Sequence, residues 1–162
     1  MNANAFRHFY DYHFSENRKI WEQYVMPLSQ EAFVRDSSYS RGSVRNQIMH
    51  MMDVDDSWFS ELRGVKIPYA PNPEDMEDRD EIRQNWDGVE KRMREYLASL
   101  KDPMLFEKPI KDKQDKELAV WQVLLHVVNH GTDHRAQTLR LLRDLGVVTG
   151  AQDYVFYAYN HP

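Results

Sequence analysis

The 162-residue chain contains no cysteine. That excludes disulfides, thiolate metal ligands and a catalytic thiol, and it fits a reducing, cytoplasmic setting. Long apolar runs are missing as well. None approaches the ~20 residues needed to cross a bilayer, so no membrane partner is expected. The first residues, 1–14, lack a basic segment followed by an apolar one, so no secretory signal is expected. Positive charge is not in excess. A net charge of −5 argues against nucleic acid as a partner, because such surfaces are normally basic. There is no Gly-rich phosphate loop, no internal repeat, no low-complexity segment and no Ser/His/Asp nucleophile pattern.

Against these absences stands an aromatic surplus, with four Trp and nine Tyr. Core filling accounts for it most simply, and an aromatic-lined pocket is the livelier alternative. The length suits one domain over residues 1–162 with one apolar core.

The chain is organised around Trp121–Leu145, which reads as one long helix carrying His126, His130 and His134 at successive i, i+4 spacings. Residues four apart on a helix lie about 40° apart around the axis and roughly 6 Å apart along it. His130 and His134 can therefore aim at one ion. Val120, Val127, Gly131, Thr138, Leu142 and Leu145 define the apolar arc of this helix. His134 falls within the arc and His130 at its margin, while His126 lies further round and reads as polar surface or support. Gly131 sits mid-arc, where a helical glycine costs about 1 kcal/mol relative to alanine. Its bareness would admit another backbone or a ligand. The motif is not the HExxH of zinc proteases, since Gly131, Thr132 and Asp133 separate the two histidines.

Three more helical periodicities precede this one, giving expected helices near residues 4–26, 43–63, 77–101 and 119–145. The first carries Phe6, Tyr10, His13, Asn17, Ile20, Trp21 and Tyr24 on its inner line and stops at Pro27. His13 on that line reads as a satisfied core histidine before a site residue. Ser29 can cap a short turn over residues 30–34. The second long helix starts at Ser40 or Ser43 and buries Val44, Ile48, Met51, Val54, Trp58 and Leu62. His50 lies just outside that stripe, so it could meet His130 and His134 where the two helix borders touch. Asp53, Asp55 and Asp56 follow; a solvated face explains them more readily than a carboxylate ligand. Gly64 ends the helix.

Residues 65–75, with Pro68, Pro71 and Pro73, form a connection crossing over the bundle. The third long helix has an apolar stripe from Ile82 to Leu100 and shows no site residues. Residues 106–110 and 117–120 could pair as a small hairpin around the charged turn 111–116. Gly146 closes the last long helix. The tail 152–159, QDYVFYAY, is expected to pack back on the bundle or across the mouth of a groove.

With His50 on the second helix and HVVNHGTDHRAQ on the last, the chain resembles the DinB-like, or DinB/YfiT-like, metalloenzyme family. The resemblance covers nearly the whole chain. Its most specific part is the HxxxHR-x-Q signature followed by LR-x-LG: His130, His134, Arg135 and Gln137, then Leu142, Arg143, Leu145 and Gly146. Ala136 departs from the glycine common after HR, which bears on helix packing more than on metal.

The resemblance implies an all-α four-helix bundle in up-down-down-up order, with His50, His130 and His134 as ligands to a divalent ion, and a homodimer. The tail aromatics Tyr154, Phe156, Tyr157 and Tyr159, a surplus of apolar surface for one small bundle, point the same way. Better-understood relatives are thiol-dependent S-transferases and isomerases using small thiols such as bacillithiol or mycothiol.

Neutral imidazoles suit zinc, nickel, iron or manganese, and three protein ligands leave positions open. An ion there could lower the pKa of water to about 7 for hydrolysis, or hold the thiolate of a low-molecular-weight thiol. The leading expectation is a small-thiol S-transferase acting on electrophilic small molecules, with a metal-dependent hydrolase second. A non-enzymatic stress-related bundle binding metal or ligand is the alternative class, and a helical interaction domain with incidental histidines is the plainest one. His13, Asp53 and His126 are the candidate proton acceptors, none singled out by its spacing.

Overall fold

The computed structural model describes residues 1–111 and 117–161. Helix α1 spans Ala3–Ile20 and continues as one π-helical turn, Trp21–Val25. Helix α2 is the short Gln30–Val34, α3 is Val44–Leu62, α4 is Arg79–Ser99, α5 is Val120–Asp144 and α6 is Tyr154–Asn160. The strands β1, Ile110–Lys111, and β2, Glu117–Leu118, pair antiparallel, Ile110 opposite Leu118. The rest of the expected turn, residues 112–116, lies outside the described residues.

The sequence's own punctuation sets the helix ends. Asn2, Ser29, Ser43 and Asp78 each accept a hydrogen bond from a first-turn backbone N–H of α1, α2, α3 and α4. Helix α5 lacks a capping oxygen at Ala119; instead Gln122 reaches back to the Ala119 N–H at 2.8 Å. Gly64 and Gly146 follow α3 and α5 at φ 63° and 85°, the left-handed conformation that ends a helix.

Cross-helix bonds give the topology. Arg7 donates to the Leu97 and Leu100 carbonyls, Arg94 to Asp11 and Arg18 to Glu90, so α1 and α4 run antiparallel. Tyr10 donates to the Leu124 carbonyl and Arg135 to Asn17, so α1 and α5 run parallel. Gln47 meets His134 and His50 meets His130, making α3 antiparallel to α5. The order is up-down-down-up. Phe6, Tyr10, Ile48, Phe59, Trp86, Val127 and Leu142 belong to the buried core between these helices.

Two readings need correction. Trp58 is only partly buried, packing its ring on His126 at 5.2 Å rather than entering the core. And α4 does contribute to a cavity wall, described below. Of its two expected courses the tail takes the first, packing back on the bundle with Tyr154 and Tyr157 against His8 and Tyr12 of α1. No helix among the described residues is long and apolar enough to cross a membrane.

Candidate metal centre

His50 of α3 meets His130 and His134 of α5 where the borders of the two helices touch. The three rings offer ligand atoms that all lie within 4.8 Å of one another, an arrangement that could hold a metal ion. His50 Nε2 and His130 Nε2 are 3.1 Å apart, and the ring centroids of His130 and His134 are 4.3 Å apart. His134 is buried, and the other two are half-buried. None of Asp53, Asp55 and Asp56 joins the cluster.

A chain of side-chain amides sets the tautomer of His134. The Asp133 carboxylate accepts from Gln137 Nε2 at 2.9 Å, and Gln137 Oε1 accepts from Gln47 Nε2 at 3.0 Å. Gln47 Oε1 is then left to accept from His134 Nδ1 at 2.9 Å. With its proton held at Nδ1, His134 offers the Nε2 lone pair to the cluster. Ser40 ties into the same chain, accepting from Gln47 at 2.8 Å and donating to Gln137. This explains the glutamine of the HR-x-Q signature. Gln47 was legible one turn before His50 on the same helix face; Ser40 had no comparable signal.

The side chains around them do not satisfy His50 and His130 in any pair of tautomers. Arg41 donates to His50 Nε2 at 3.1 Å, so that nitrogen carries a lone pair. His130 Nδ1 is buried without a partner. If His130 holds its proton at Nδ1, two lone pairs face each other; if at Nε2, a bare acceptor is buried. A divalent ion between the rings would use both lone pairs, so the residues fit one.

The electrostatics agree. Burial first, then Arg41 and His134, push the His50 pKa down to about 4. Burial, then His134 and His50, push His130 down to about 4. His134 is lowered too, again chiefly by burial. All three are neutral at physiological pH, the form that donates to metals.

Behind the cluster lies a second network that is structural. His13, 1% exposed, bonds Asp55 Oδ2 at 3.3 Å through Nε2 and accepts from Arg135 at 3.1 Å through Nδ1. Arg135 is fully buried and also donates to Asn17, Gln152 and Thr132, each at 3.0 Å. His13 is thus the satisfied core histidine. Asp55 is buried in this network, not on the solvated face expected for all three aspartates. The bareness of Gly131 serves the same network, since a Cβ there would fall 2.8 Å from His13 Nδ1 and closer still to Cε1. It admits an imidazole, not a backbone or a ligand. His126 stays exposed, 5.9 Å from His130 between ring centroids.

A cavity of about 720 Å³ opens beside His50, between α3, α4 and the proline-rich connection. Arg41, Met49, Met52, Asp53, Tyr69, Val89 and Arg92 are on its wall. Its volume suits a small organic molecule.

Comparisons with known proteins agree with this architecture. Protein DinB of Bacillus subtilis (strain 168) is 23% identical over 167 residues, spanning 98% of this chain and 96% of its own. A crystal structure of a DinB-like protein from Bacillus cereus ATCC 10987 superposes with a TM-score of 0.74. It covers 93% of this chain and 97% of its own at 18% identity, a likeness of fold. The DinB family model matches residues 1–161. By fold, histidine cluster and full-length match, the chain belongs to the DinB family.

Proposed function

We propose that this protein is a divalent-metal-dependent enzyme in which His50, His130 and His134 hold the ion, and that it transfers a small cellular thiol to an electrophilic small molecule. The observation that carries the reading is the convergence of three neutral imidazoles from two helices beside a cavity. Closed structural zinc sites use four protein ligands, whereas three leave room for an exogenous one. When bound, zinc, nickel, iron or manganese would supply Lewis acidity, making a thiol or water at the site acidic enough to react near neutral pH. A cysteine-free chain must take its sulfur nucleophile from outside.

The chain's own residues orient and receive. The Asp133–Gln137–Gln47 chain holds the His134 ring and its proton. Asp53 stands on the cavity wall, its pKa raised by burial and then by Asp56, which suits a proton acceptor. His126 is the alternative acceptor, at the exposed edge of the cluster. His13, with both ring nitrogens engaged, is not suited to that role. The exposed side chains of α6, with Phe156 at 56% and Tyr159 at 78%, support a homodimer.

The test uses metal-loaded protein with a chlorinated aromatic or epoxide acceptor. Product formation should require added bacillithiol, mycothiol or glutathione and be lost in His134→Ala. Thiol-independent cleavage of an ester or amide, lost in the same variant, would replace the transferase with a hydrolase. Equal metal content in wild type and a His50→Ala/His130→Ala variant by elemental analysis would remove the metal site itself.

A further inference from the structure

We infer that Arg41 makes the cavity beside His50 a binding site for small monocarboxylates, with the carboxylate at the Arg41 end and an apolar body against Met49, Met52 and Val89. The assignment starts from charge. Two cations line the cavity, Arg41 and Arg92. Arg92 is matched, since it donates to Asp56 at 2.8 Å. Arg41 has no carboxylate within ion-pair distance among the described residues; its side chain donates instead to the His50 ring at 3.1 Å. A guanidinium with no carboxylate partner, set against the His50 ring in a concave site, is suited to an anion.

The backbone around Arg41 is built to hold it there. Ser40 takes φ 51°, unusual for a residue with a side chain, and its hydroxyl is tied to Gln47 and Gln137. The next residue but one, Gly42, has φ 90°, and its N–H donates to the Tyr39 carbonyl at 3.0 Å. Asn46 Nδ2 donates to the Arg41 carbonyl at 3.0 Å. Three anchors on three consecutive residues, one of them shared with the amide chain behind His134, point the side chain at the histidine cluster. Arg41 is exposed, but the tethered loop and its bond to His50 fix where its guanidinium stands on the cavity wall.

The chemistry selects the ligand class. The three clustered histidines bring no negative charge, and a divalent ion there would add two positive charges close to Arg41. An anionic ligand compensates both, and a carboxylate matches the planar guanidinium fork. Asp53 and Glu81 on the cavity wall oppose negative charge near them, so the ligand carries a single one, held at the Arg41 end. Met49, Met52 and Val89 are buried apolar neighbours for the remainder of the molecule. The carboxylate could belong to the electrophile or to the thiol.

Its place in turnover rests on the proposed metal-dependent reading, but binding is measured without turnover. The probes are 4-fluorobenzoate and its neutral counterpart 4-fluorobenzamide, titrated by ¹⁹F NMR into full-length protein with and without zinc. The same titrations on Arg41→Gln follow, with thermal melting as the folding control and elemental analysis for zinc. Wild type should prefer the carboxylate by about tenfold or more, and Arg41→Gln should lose that preference while keeping its melting temperature and zinc content. Arg41→Lys, which keeps the charge, should restore part of it. An unchanged preference in Arg41→Gln, or none in wild type, overturns the assignment. Failure to take up zinc would instead count against the metal reading, while the metal-free titration still decides the role of Arg41. Competition by 3-mercaptopropionate against 3-mercaptopropionamide, compared with the benzoate pair, tells a thiol-borne carboxylate from an electrophile-borne one.

Discussion

Replacing Gly131 with alanine should destabilise the protein, although helix propensity alone favours the change by about 1 kcal/mol. The new methyl carbon would stand 2.8 Å from His13 Nδ1, closer to Cε1, and 3.2 Å from Arg135 Nη1. The His13 ring cannot retreat. Asp55 accepts from its Nε2 at 3.3 Å, the Asn17 amide crowds the same edge, and Tyr10 and Phe14 pack beside it at 5.8 and 5.6 Å between centroids. Overpacking of this kind costs about 1–3 kcal/mol. Displacing the ring also weakens the Arg135–His13 bond, and hydrogen bonds to charged groups contribute roughly 1.5–3 kcal/mol. Set against the propensity gain, the net loss is about 3 kcal/mol, which for a chain of this size lowers Tm by about 6–12 °C. Calorimetry of Gly131→Ala measures it. In a His13→Ala background the clash is gone, and the same substitution should become neutral or stabilising. An equal loss in both backgrounds would refute the reasoning, because the cost would then not come from the imidazole.

Gln47→Leu should weaken zinc affinity about 10–100-fold without unfolding the protein, since it frees the His134 Nδ1 proton from its acceptor; competition with a chromogenic chelator reads this out. In the metal-free protein, His50 and His130 bind protons near pH 4 when folded but near 6.5 when unfolded, so the unfolded state takes up protons first. Stability contributed by these groups is therefore complete above about pH 6.5 and lost as pH falls towards 4, visible as a declining Tm across that window. Sedimentation at micromolar concentration should show a dimer, and truncation before α6 should shift it towards monomer; a clean monomer of the full chain would count against the interface.

Much of this architecture was legible in the chain itself, and the reason is periodicity. Residues such as Ile48, Met51, Ile82, Val127 and Leu142 repeat in threes and fours because one face of each helix must leave water. Ser43, Asp78, Gly64 and Gly146 mark ends that local backbone chemistry alone dictates. The histidine trio was legible for the same reason: His50 and His130 sit at the borders of their apolar stripes with His134 just inside, and those borders meet when the helices pack. Only the tertiary structure decided what depends on the meeting of distant segments. It sent His13 and Asp55 into a buried network with Arg135, because Arg135 on α5 and Asp55 on α3 come within reach of the His13 ring only in the folded bundle. It made Gly131 a seat for an imidazole. It also placed Arg41 against His50, through a loop whose unusual φ angles leave no periodic trace in the sequence.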